Sequence, residues 1–297
     1  MTPLLLFAMP GNDAMTRALA HRLDGEAGRM EVHAFPDGES YLRLLTDPAG
    51  RALIFVCTLD RPNGKILPLL LAAAAARELG ARSIGLVAPY LAYMRQDQRF
   101  KPGEAVTSRT FARLLSDAFD WLVTTDPHLH RYDSLQEIYT IPTRAAQAAP
   151  LIALWIRTKV EKPLIVGPDR ESAQWVSAVA KDAGAPYTVL EKVRRGDREV
   201  EISGGYSGDL AGRTPVLVDD IISSGRTMIE AVQLIVARGA MRPICIAVHG
   251  LFADDSNALL TQAGAQVVTS NTIPHPTNEI DVDEILADAI SALRPAP

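Results

Sequence analysis

Short apolar runs alternate with longer segments of helical spacing along the chain. The apolar runs are rich in Leu, Ile and Val and have the length of buried strands, and a segment with helical spacing follows most of them. In the first half, the strand and helix pairs are predicted at residues 4–8 with 13–23, 52–57 with 65–79, and 83–88 with 107–119. Strands that are separated by helices predict parallel sheets with crossover connections.

The same alternation returns in the second half of the chain. After a strand at residues 121–125, the predicted pairs are 164–166 with 172–183, 216–218 with 227–238, and 244–248 with 256–262. We therefore predict an α/β protein with two similar doubly wound domains and mainly parallel sheets. Prolines bracket an alanine-rich segment near residues 142–150, which places the domains at residues 1–144 and 145–297.

The composition argues against nucleic acid and membranes as partners of this protein. The 297 residues carry a formal net charge of −5, which offers no basic face for nucleic acid or for a membrane surface. Cys57 and Cys245 lie inside apolar runs, as buried free thiols do in a reducing compartment. The N-terminal run indicates a first strand rather than a signal peptide, and the longest apolar stretch, residues 66–76, is too short to span a membrane. A cytoplasmic protein is expected.

The most informative stretch joins an apolar strand, two adjacent carboxylates and a small-residue turn that opens a helix. Asp219 and Asp220 follow residues 216–218, and the turn runs from Ser223 to Thr227. Such a turn directs backbone N–H groups and a helix dipole at one point, where a phosphate would bind, while the carboxylates suit ribose hydroxyls or magnesium. An ordinary N-cap by Ser224 is the alternative. Two adjacent carboxylates at a buried strand end favour the binding site, because burying them is costly without a cation or a polyol.

Further polar segments follow other predicted strands. The loop after residue 88 contains Arg95, Gln96 and Asp97, which could hold a nucleotide or could simply be solvated. Asp126 is followed by His128 and His130, which could be surface histidines or metal ligands. With no third soft ligand nearby, magnesium bound with phosphate oxygens is favoured over zinc.

Two other segments depend on context. Residues 35–39 alone indicate a turn or hairpin, and residues 193–212, rich in glycine and charge, indicate a hairpin or lid.

In their order along the chain, these motifs resemble the ribose-phosphate diphosphokinases, or phosphoribosyl pyrophosphate synthetases, and are closer to the archaeal-type branch. The turn alone is shared with the type I phosphoribosyltransferases, whose fold the resemblance implies for both domains. The matching segments are Phe35-Pro36-Asp37-Gly38-Glu39, Pro89-Tyr90 through Arg95-Gln96-Asp97, Asp126-Pro127-His128, Gly167-Pro168-Asp169, Glu191-Lys192-Val193-Arg194 and Asp219 to Thr227.

The resemblance implies a reaction and the residues that perform it. The family transfers the β,γ-diphosphoryl group of ATP to the 1-hydroxyl of ribose 5-phosphate, giving phosphoribosyl pyrophosphate and AMP for nucleotide biosynthesis. Mg²⁺ is the implied cofactor. The implied residues are Lys192, Arg194 and His128 for catalysis; Phe35, Asp37, Glu39, Arg95, Gln96 and Asp97 for ATP; Asp219, Asp220, Ser223, Ser224, Gly225, Arg226 and Thr227 for ribose 5-phosphate; and His128 with Asp169 for the metal.

The resemblance also implies an assembly, since in the family the motif at Phe35, Asp37 and Glu39 reaches an adenine held mainly by a neighbouring subunit. We therefore expect a homo-oligomer. Two alternatives stay open: a catalytically weak or silent paralogue of the family, and a phosphoribosyltransferase that uses the same turn. The chain departs from many family members at Ser223 and Arg226, which makes the turn more cationic and puts sugar affinity in question.

Overall fold

The computed structural model describes residues 4–170, 172–191, 201–203, 212–240 and 242–293. The chain forms two compact units. Unit 1 contains the residues up to Ala146 and those from Asp283 onward, and unit 2 is Gln147–Val282.

Unit 1 is built on a six-stranded parallel sheet of order β2-β1-β5-β6-β7-β8, beside which β3 and β4 form a separate antiparallel pair. Its elements are β1 (Leu5–Ala8), α1 (Asp13–Arg22), β2 (Glu26–Gly28), β3 (Met30–Ala34), β4 (Ser40–Leu44), β5 (Ala52–Val56), α2 (Asn63–Glu78), β6 (Ser83–Ala88), α3 (Thr107–Ala118), β7 (Trp121–Thr125), a 3₁₀ turn (Leu135–Glu137) and β8 (Thr143–Ala146).

Unit 2 is built on a seven-stranded sheet of order β11-β10-β9-β12-β13-β14-β15, parallel except for β11 against β10. Its elements are α4 (Ala149–Lys159), β9 (Pro163–Gly167), α5 (Ala173–Ala183), β10 (Tyr187–Glu191), β11 (Glu201–Ser203), β12 (Thr214–Ile222), α6 (Arg226–Ala237), β13 (Ile244–Gly250), α7 (Ser256–Gln262), β14 (Gln266–Ser270) and β15 (Asn278–Ile280). The last helix, α8 (Asp283–Leu293), packs against α1, β7 and β8 of unit 1.

The central strands are apolar on both faces because helices cover both faces of a parallel sheet. In β5, residues 53–56 are fully buried. Close packing also decides where glycine is needed: a Cβ on Gly85 of β6 would lie 2.1 Å from the indole ring of Trp121 on β7. The absent side chain of Gly85 therefore makes room for the largest side chain of the neighbouring strand.

Each parallel sheet has a point at which the strand order reverses. In unit 2 this point lies between β9 and β12. The two strands pair only as far as Leu217 with Val166, whereas β12 continues beside β13 until Ile222 with Gly250. The last four residues of β12 therefore extend past the end of β9, which opens a crevice at the carboxyl edge of the sheet.

The predicted fold class and the predicted strand and helix pairs are confirmed. The structure also differs from the prediction. β12 is longer than predicted because its pairing with β13 carries the polar residues after Val218 in extended form. Several elements were not predicted, among them the strands β2, β8, β10, β14 and β15 and the last helix, α8. The second domain was predicted to extend to residue 297 from residue 145, whereas the chain enters unit 2 at Gln147 and α8 packs within unit 1.

None of the helices in the described ranges combines the length and the apolar character that crossing a bilayer requires.

Candidate active site

In unit 2, three carboxylates gather where β9 and β12 separate. Asp169 lies two residues beyond the end of β9, and Asp219 and Asp220 lie in the part of β12 that extends past it. Crevices at such switch points are the usual ligand sites of open α/β sheets. The structure therefore brings together three of the residues that the sequence singled out.

The three acids influence one another electrostatically. Burial and, after it, the nearby charges of Asp220 and Asp169 together raise the pKa of Asp219 to about 8. The backbone N–H of Asp220 donates to Oδ1 of Asp219 (3.0 Å), which acts in the opposite direction. Asp169 is fixed by Ser172, whose backbone N–H donates to its Oδ1 (3.2 Å) and whose hydroxyl donates to its carbonyl oxygen (2.6 Å).

This donor set fits magnesium, whose preferred ligands are carboxylate oxygens. A divalent cation beside the three acids would also offset the repulsion that raises the pKa of Asp219.

The turn after β12 has the backbone form that an anion site needs. Gly225 adopts φ +69°, in the left-handed region, and α6 begins at the next residue. Since the N-cap residue is a glycine and not Ser224, no N-cap side chain covers the first N–H groups of the helix. Ser223 and Ser224 precede Gly225 in the turn, and Arg226 and Thr227 are the first two residues of α6.

The segment that follows β13, residues 251–256, packs against this turn and forms hydrogen bonds with it. The carbonyl oxygen of Ile222 accepts the N–H groups of Leu251 (3.0 Å) and Phe252 (3.1 Å), and that of Ser223 accepts the N–H of Ala253 (3.1 Å). Ser256, which is 1% exposed, lies so close that a Cβ on Gly225 would be 3.3 Å from its Cβ. The shape of the turn is therefore held by backbone bonds and close packing.

In unit 1, the hairpin of β3 and β4 carries the first motif at its tip. The N–H of Phe35 donates to the carbonyl of Glu39 (2.7 Å), the N–H of Gly38 donates to that of Phe35 (2.9 Å), and Oδ1 of Asp37 accepts the N–H of Glu39 (3.1 Å). Phe35 is 45% exposed and packs edge-on against the rings of His33 and Tyr41. The predicted hairpin is confirmed, and its tip presents an aromatic ring and two acids to solvent.

The loop after β6 presents Arg95 to solvent and leaves Gln96 half-buried. Asp97, which was predicted with the ATP ligands, has an enclosed side chain that forms an ion pair with Arg131. The loop after β7 begins at Asp126, which takes φ +31°, and places the rings of His128 and His130 perpendicular at 3.8 Å. Within unit 1, the ion pair between Asp97 and Arg131 therefore joins the loop after β6 to the loop after β7.

Lys192 and Arg194 lie outside the described residues, as does most of the predicted lid. Of residues 193–212, the structure describes 201–203 and 212, and β11 (Glu201–Ser203) pairs antiparallel with β10, from Val189 with Ser203 to Glu191 with Glu201.

Two contributions to the site were not predicted from the sequence. Arg131 and Tyr132 brace the loop of unit 1, and the segment 251–256 braces the turn of unit 2. Arg131 could not be found from the sequence, because its partner Asp97 lies 34 residues away. The support from residues 251–256 could not be found either, because it is made largely by backbone groups.

Comparison with known proteins gives two domain matches. Residues 4–118 match the family model described as the N-terminal domain of ribose phosphate pyrophosphokinase. Residues 134–284 match the phosphoribosyl transferase domain.

The chain is also similar to curated proteins and to a solved structure. It is 32% identical to the ribose-phosphate pyrophosphokinase of Methanopyrus kandleri, with 98% of this chain and 99% of the relative covered. It is 34% identical to the protein of that name from Sulfurisphaera tokodaii, with 86% and 89% covered. The crystal structure of phosphoribosylpyrophosphate synthetase from Mycobacterium smegmatis superposes with a TM-score of 0.86 at 26% identity, covering 98% of each chain.

Proposed function

The chain belongs to the ribose-phosphate pyrophosphokinase family, and we propose that its site transfers the β,γ-diphosphoryl group of ATP to the 1-hydroxyl of ribose 5-phosphate. The products are phosphoribosyl pyrophosphate, which serves nucleotide biosynthesis, and AMP. The observation that carries this function is the similarity to a curated pyrophosphokinase over 98% of the chain. The alternative of a phosphoribosyltransferase is not favoured, because residues 4–118 match the N-terminal domain of the pyrophosphokinases.

In this reaction the 1-hydroxyl oxygen of the sugar loses its proton to solvent and forms a bond to the β-phosphorus of ATP. The bond from that phosphorus to the oxygen bridging to the α-phosphate breaks, and AMP leaves with the bridging oxygen. Phosphoryl transfer of this kind spreads negative charge over the phosphate oxygens and the leaving group. Catalysis therefore depends mainly on positioned cations and hydrogen-bond donors.

We assign the sugar phosphate to unit 2. The turn from Ser223 to Thr227 would receive the 5-phosphate through its backbone N–H groups, and Arg226 would add a positive charge. Asp220 and Asp219 would accept hydrogen bonds from the ribose hydroxyls. A magnesium ion held by Asp169 and His128, when bound, offsets the charge of the diphosphoryl oxygens.

We assign the nucleotide to residues of unit 1. Among the residues of the β6 loop predicted to bind ATP, Arg95 is exposed and Gln96 is half-buried, and they suit a phosphate and a base edge respectively. His128 would meet the phosphates, and the exposed ring of Phe35 would stack on adenine, with Asp37 and Glu39 beside it. Because Phe35 belongs to a hairpin tip, we propose that it serves the site of a neighbouring subunit in a homo-oligomer.

Lys192 and Arg194 are proposed to stabilise the charge that develops during transfer. In related phosphoryl transfers one such arginine contributes on the order of 10³ to 10⁵ in rate. The surrounding segment would exclude water and so limit hydrolysis of ATP. We also propose that the enzyme works in the cytoplasm.

The test uses the full chain with ATP, Mg²⁺ and ribose 5-phosphate, followed by ³¹P NMR. We expect AMP and a sugar product that carries both the β- and γ-phosphorus. A Lys192→Ala variant is the control, and AMP no higher than in this control would contradict the function and favour the silent paralogue. Formation of ADP instead of AMP would indicate transfer of a single phosphoryl group. Repeating the assay with a series of sugar phosphates tests the acceptor.

The shared site has its own test. Phe35→Ala and Lys192→Ala subunits are each expected to be nearly inactive, and mixing and reassembling them should recover part of the activity. Activity can be recovered only if Phe35 of one subunit completes the active site of another subunit. A mixture that stays inactive, although mixed oligomers are shown to form, would place Phe35 in the site of its own chain.

A further inference from the structure

The β6 loop of unit 1 is closed on itself. The carboxylate oxygen Oε2 of Glu104 accepts the backbone N–H groups of Phe100 (2.8 Å) and Lys101 (2.9 Å), and Nε of Arg99 donates to the carbonyl oxygen of Glu104 (2.9 Å). These bonds tie the far part of the loop together. The position of this tied part therefore depends on the contacts that residues 95–97 make with the rest of unit 1.

The main contact of these residues is made by the side chain of Asp97, which is buried and only 2% exposed. Both of its carboxylate oxygens accept from one guanidinium nitrogen of Arg131, at 2.8 and 3.1 Å. A buried carboxylate is strongly destabilising when its cation is removed. The carboxylate of Asp97 is thus committed to a neighbour in the protein, whereas Arg95, two residues earlier, is exposed.

The residue after Arg131 binds the backbone of the same loop. The hydroxyl of Tyr132 donates to the carbonyl oxygen of Asp97 (3.1 Å) and lies 3.1 Å from Oγ of Ser108, the second residue of α3. Ser108 in turn donates its backbone N–H to the carbonyl of Gln96 (3.3 Å). Tyr132 and Ser108 are both buried, so these bonds are shielded from water.

Arg131 also contacts the far part of the loop, since its guanidinium carbon lies 5.3 Å from the ring centre of Phe100. A planar guanidinium can face an aromatic ring and bind a carboxylate at the same time, which a lysine ammonium does less well. Arg131 therefore contacts the β6 loop both at Asp97 and at Phe100.

We propose that Asp97 and Arg131 are a positioning pair that sets the distance between the nucleotide groups of the β6 loop and His128 of the β7 loop. The inference rests on the proposed function, because it concerns the ATP side of that site. The pair acts on ATP affinity through Arg95, Gln96 and His128, and Asp97 itself does not contact the nucleotide. The two residues lie in the loops that follow the adjacent parallel strands β6 and β7, so a small change in the pair shifts both loops against each other.

The test is a double-mutant cycle with Asp97→Asn, Arg131→Gln and the double variant. Affinity is measured by calorimetry with α,β-methylene ATP, whose altered bond is the one that breaks in the proposed reaction, and steady-state kinetics give KM for both substrates. Arg131→Gln should weaken nucleotide binding most, by about tenfold or more, because it leaves Asp97 buried without its cation. Combining it with Asp97→Asn should recover part of the loss, while KM for ribose 5-phosphate stays within about twofold.

Two further variants serve as controls. Arg131→Lys keeps the charge but loses the planar contact with Phe100, so an intermediate loss is expected, and it replaces Arg131→Gln if that variant does not fold. Arg77→Gln removes the exposed ion pair between Arg77 and Asp120 in the same unit and should leave both KM values unchanged.

Two outcomes would overturn the inference. If Asp97→Asn weakens nucleotide binding equally with Arg131 present or replaced, Asp97 contacts the nucleotide directly. If the variants lower the melting temperature while nucleotide affinity stays unchanged, the pair serves stability alone. Because the methylene analogue measures binding without turnover, an enzyme that binds it but forms no AMP would contradict the proposed function and leave this inference to be decided by the cycle.

Discussion

The backbone N–H of Asp220 donates to Oδ1 of Asp219 at 3.0 Å. Successive side chains of a strand point to opposite faces, so the two adjacent carboxylates of β12 leave the backbone in different directions. The bond turns the Asp219 carboxylate back onto its own chain. It compensates only in part for burial and for the charges of Asp220 and Asp169, which raise the pKa of Asp219 to about 8.

The raised pKa predicts how stability depends on pH. Between the ordinary pKa of an aspartate, about 3.9, and the raised value in the folded protein, the folded state binds more protons than the unfolded state. Stability is therefore fully retained below this window and is lost as pH rises through it. Asp219→Asn mimics the protonated form, so in metal-free, substrate-free protein the margin by which its melting temperature exceeds that of the wild type should grow from pH 5 to pH 8.5. Parallel curves from pH 5 to 8.5 would contradict the assignment.

Gly225→Ala should impair binding of ribose 5-phosphate. The left-handed φ of +69° costs an alanine about 1 to 2 kcal/mol, and the new Cβ would lie 3.3 Å from that of Ser256. We expect KM for ribose 5-phosphate to rise about tenfold with KM for ATP little changed. Gly239→Ala is the matched control, since Gly239 has φ +80° but open space around its Cα. An equal rise of KM in both variants would mean that the effect is global.

Gly85→Ala should destabilise unit 1. The added methyl group would meet the Trp121 ring at 2.1 Å, and overpacking of this kind costs about 1 to 3 kcal/mol. Calorimetry should show a lower melting temperature, which Trp121→Phe in the same chain should partly restore. Gly64→Ala, in the first turn of α2 with open space around it, should leave stability unchanged or raise it. If Gly85→Ala melts like the wild type, the sheet relaxes more easily than its packing indicates.

The two thiols should be unreactive in the native protein. Cys57 and Cys245 are fully buried, and burial raises the pKa of each to about 12. Since the thiolate is the reactive form, a thiol reagent at pH 8 should label neither residue until denaturant is added, and then both. Rapid labelling of Cys57 alone would show that the carboxyl edge of β5 opens in solution.

The sequence by itself determined the features that depend on local order. Apolar runs of strand length followed by helical segments predicted the parallel sheets, because helix and strand periods are properties of neighbouring residues. Asp169, Asp219 and the turn at Ser223 to Thr227 could be predicted as a site for the same reason: each follows a buried strand directly, and parallel strands end at one edge.

Only the tertiary structure decided which distant groups meet. Asp97 and Arg131 are 34 residues apart, and only the alignment of β6 with β7 brings a carboxylate oxygen and a guanidinium nitrogen to 2.8 Å. The same holds for the backbone of Ala253 beneath Ser223 and for α8, which leaves unit 2 to pack on α1. Contacts of this kind depend on strand order and on the space left between elements, and neither quantity is expressed in the spacing of residues along the chain.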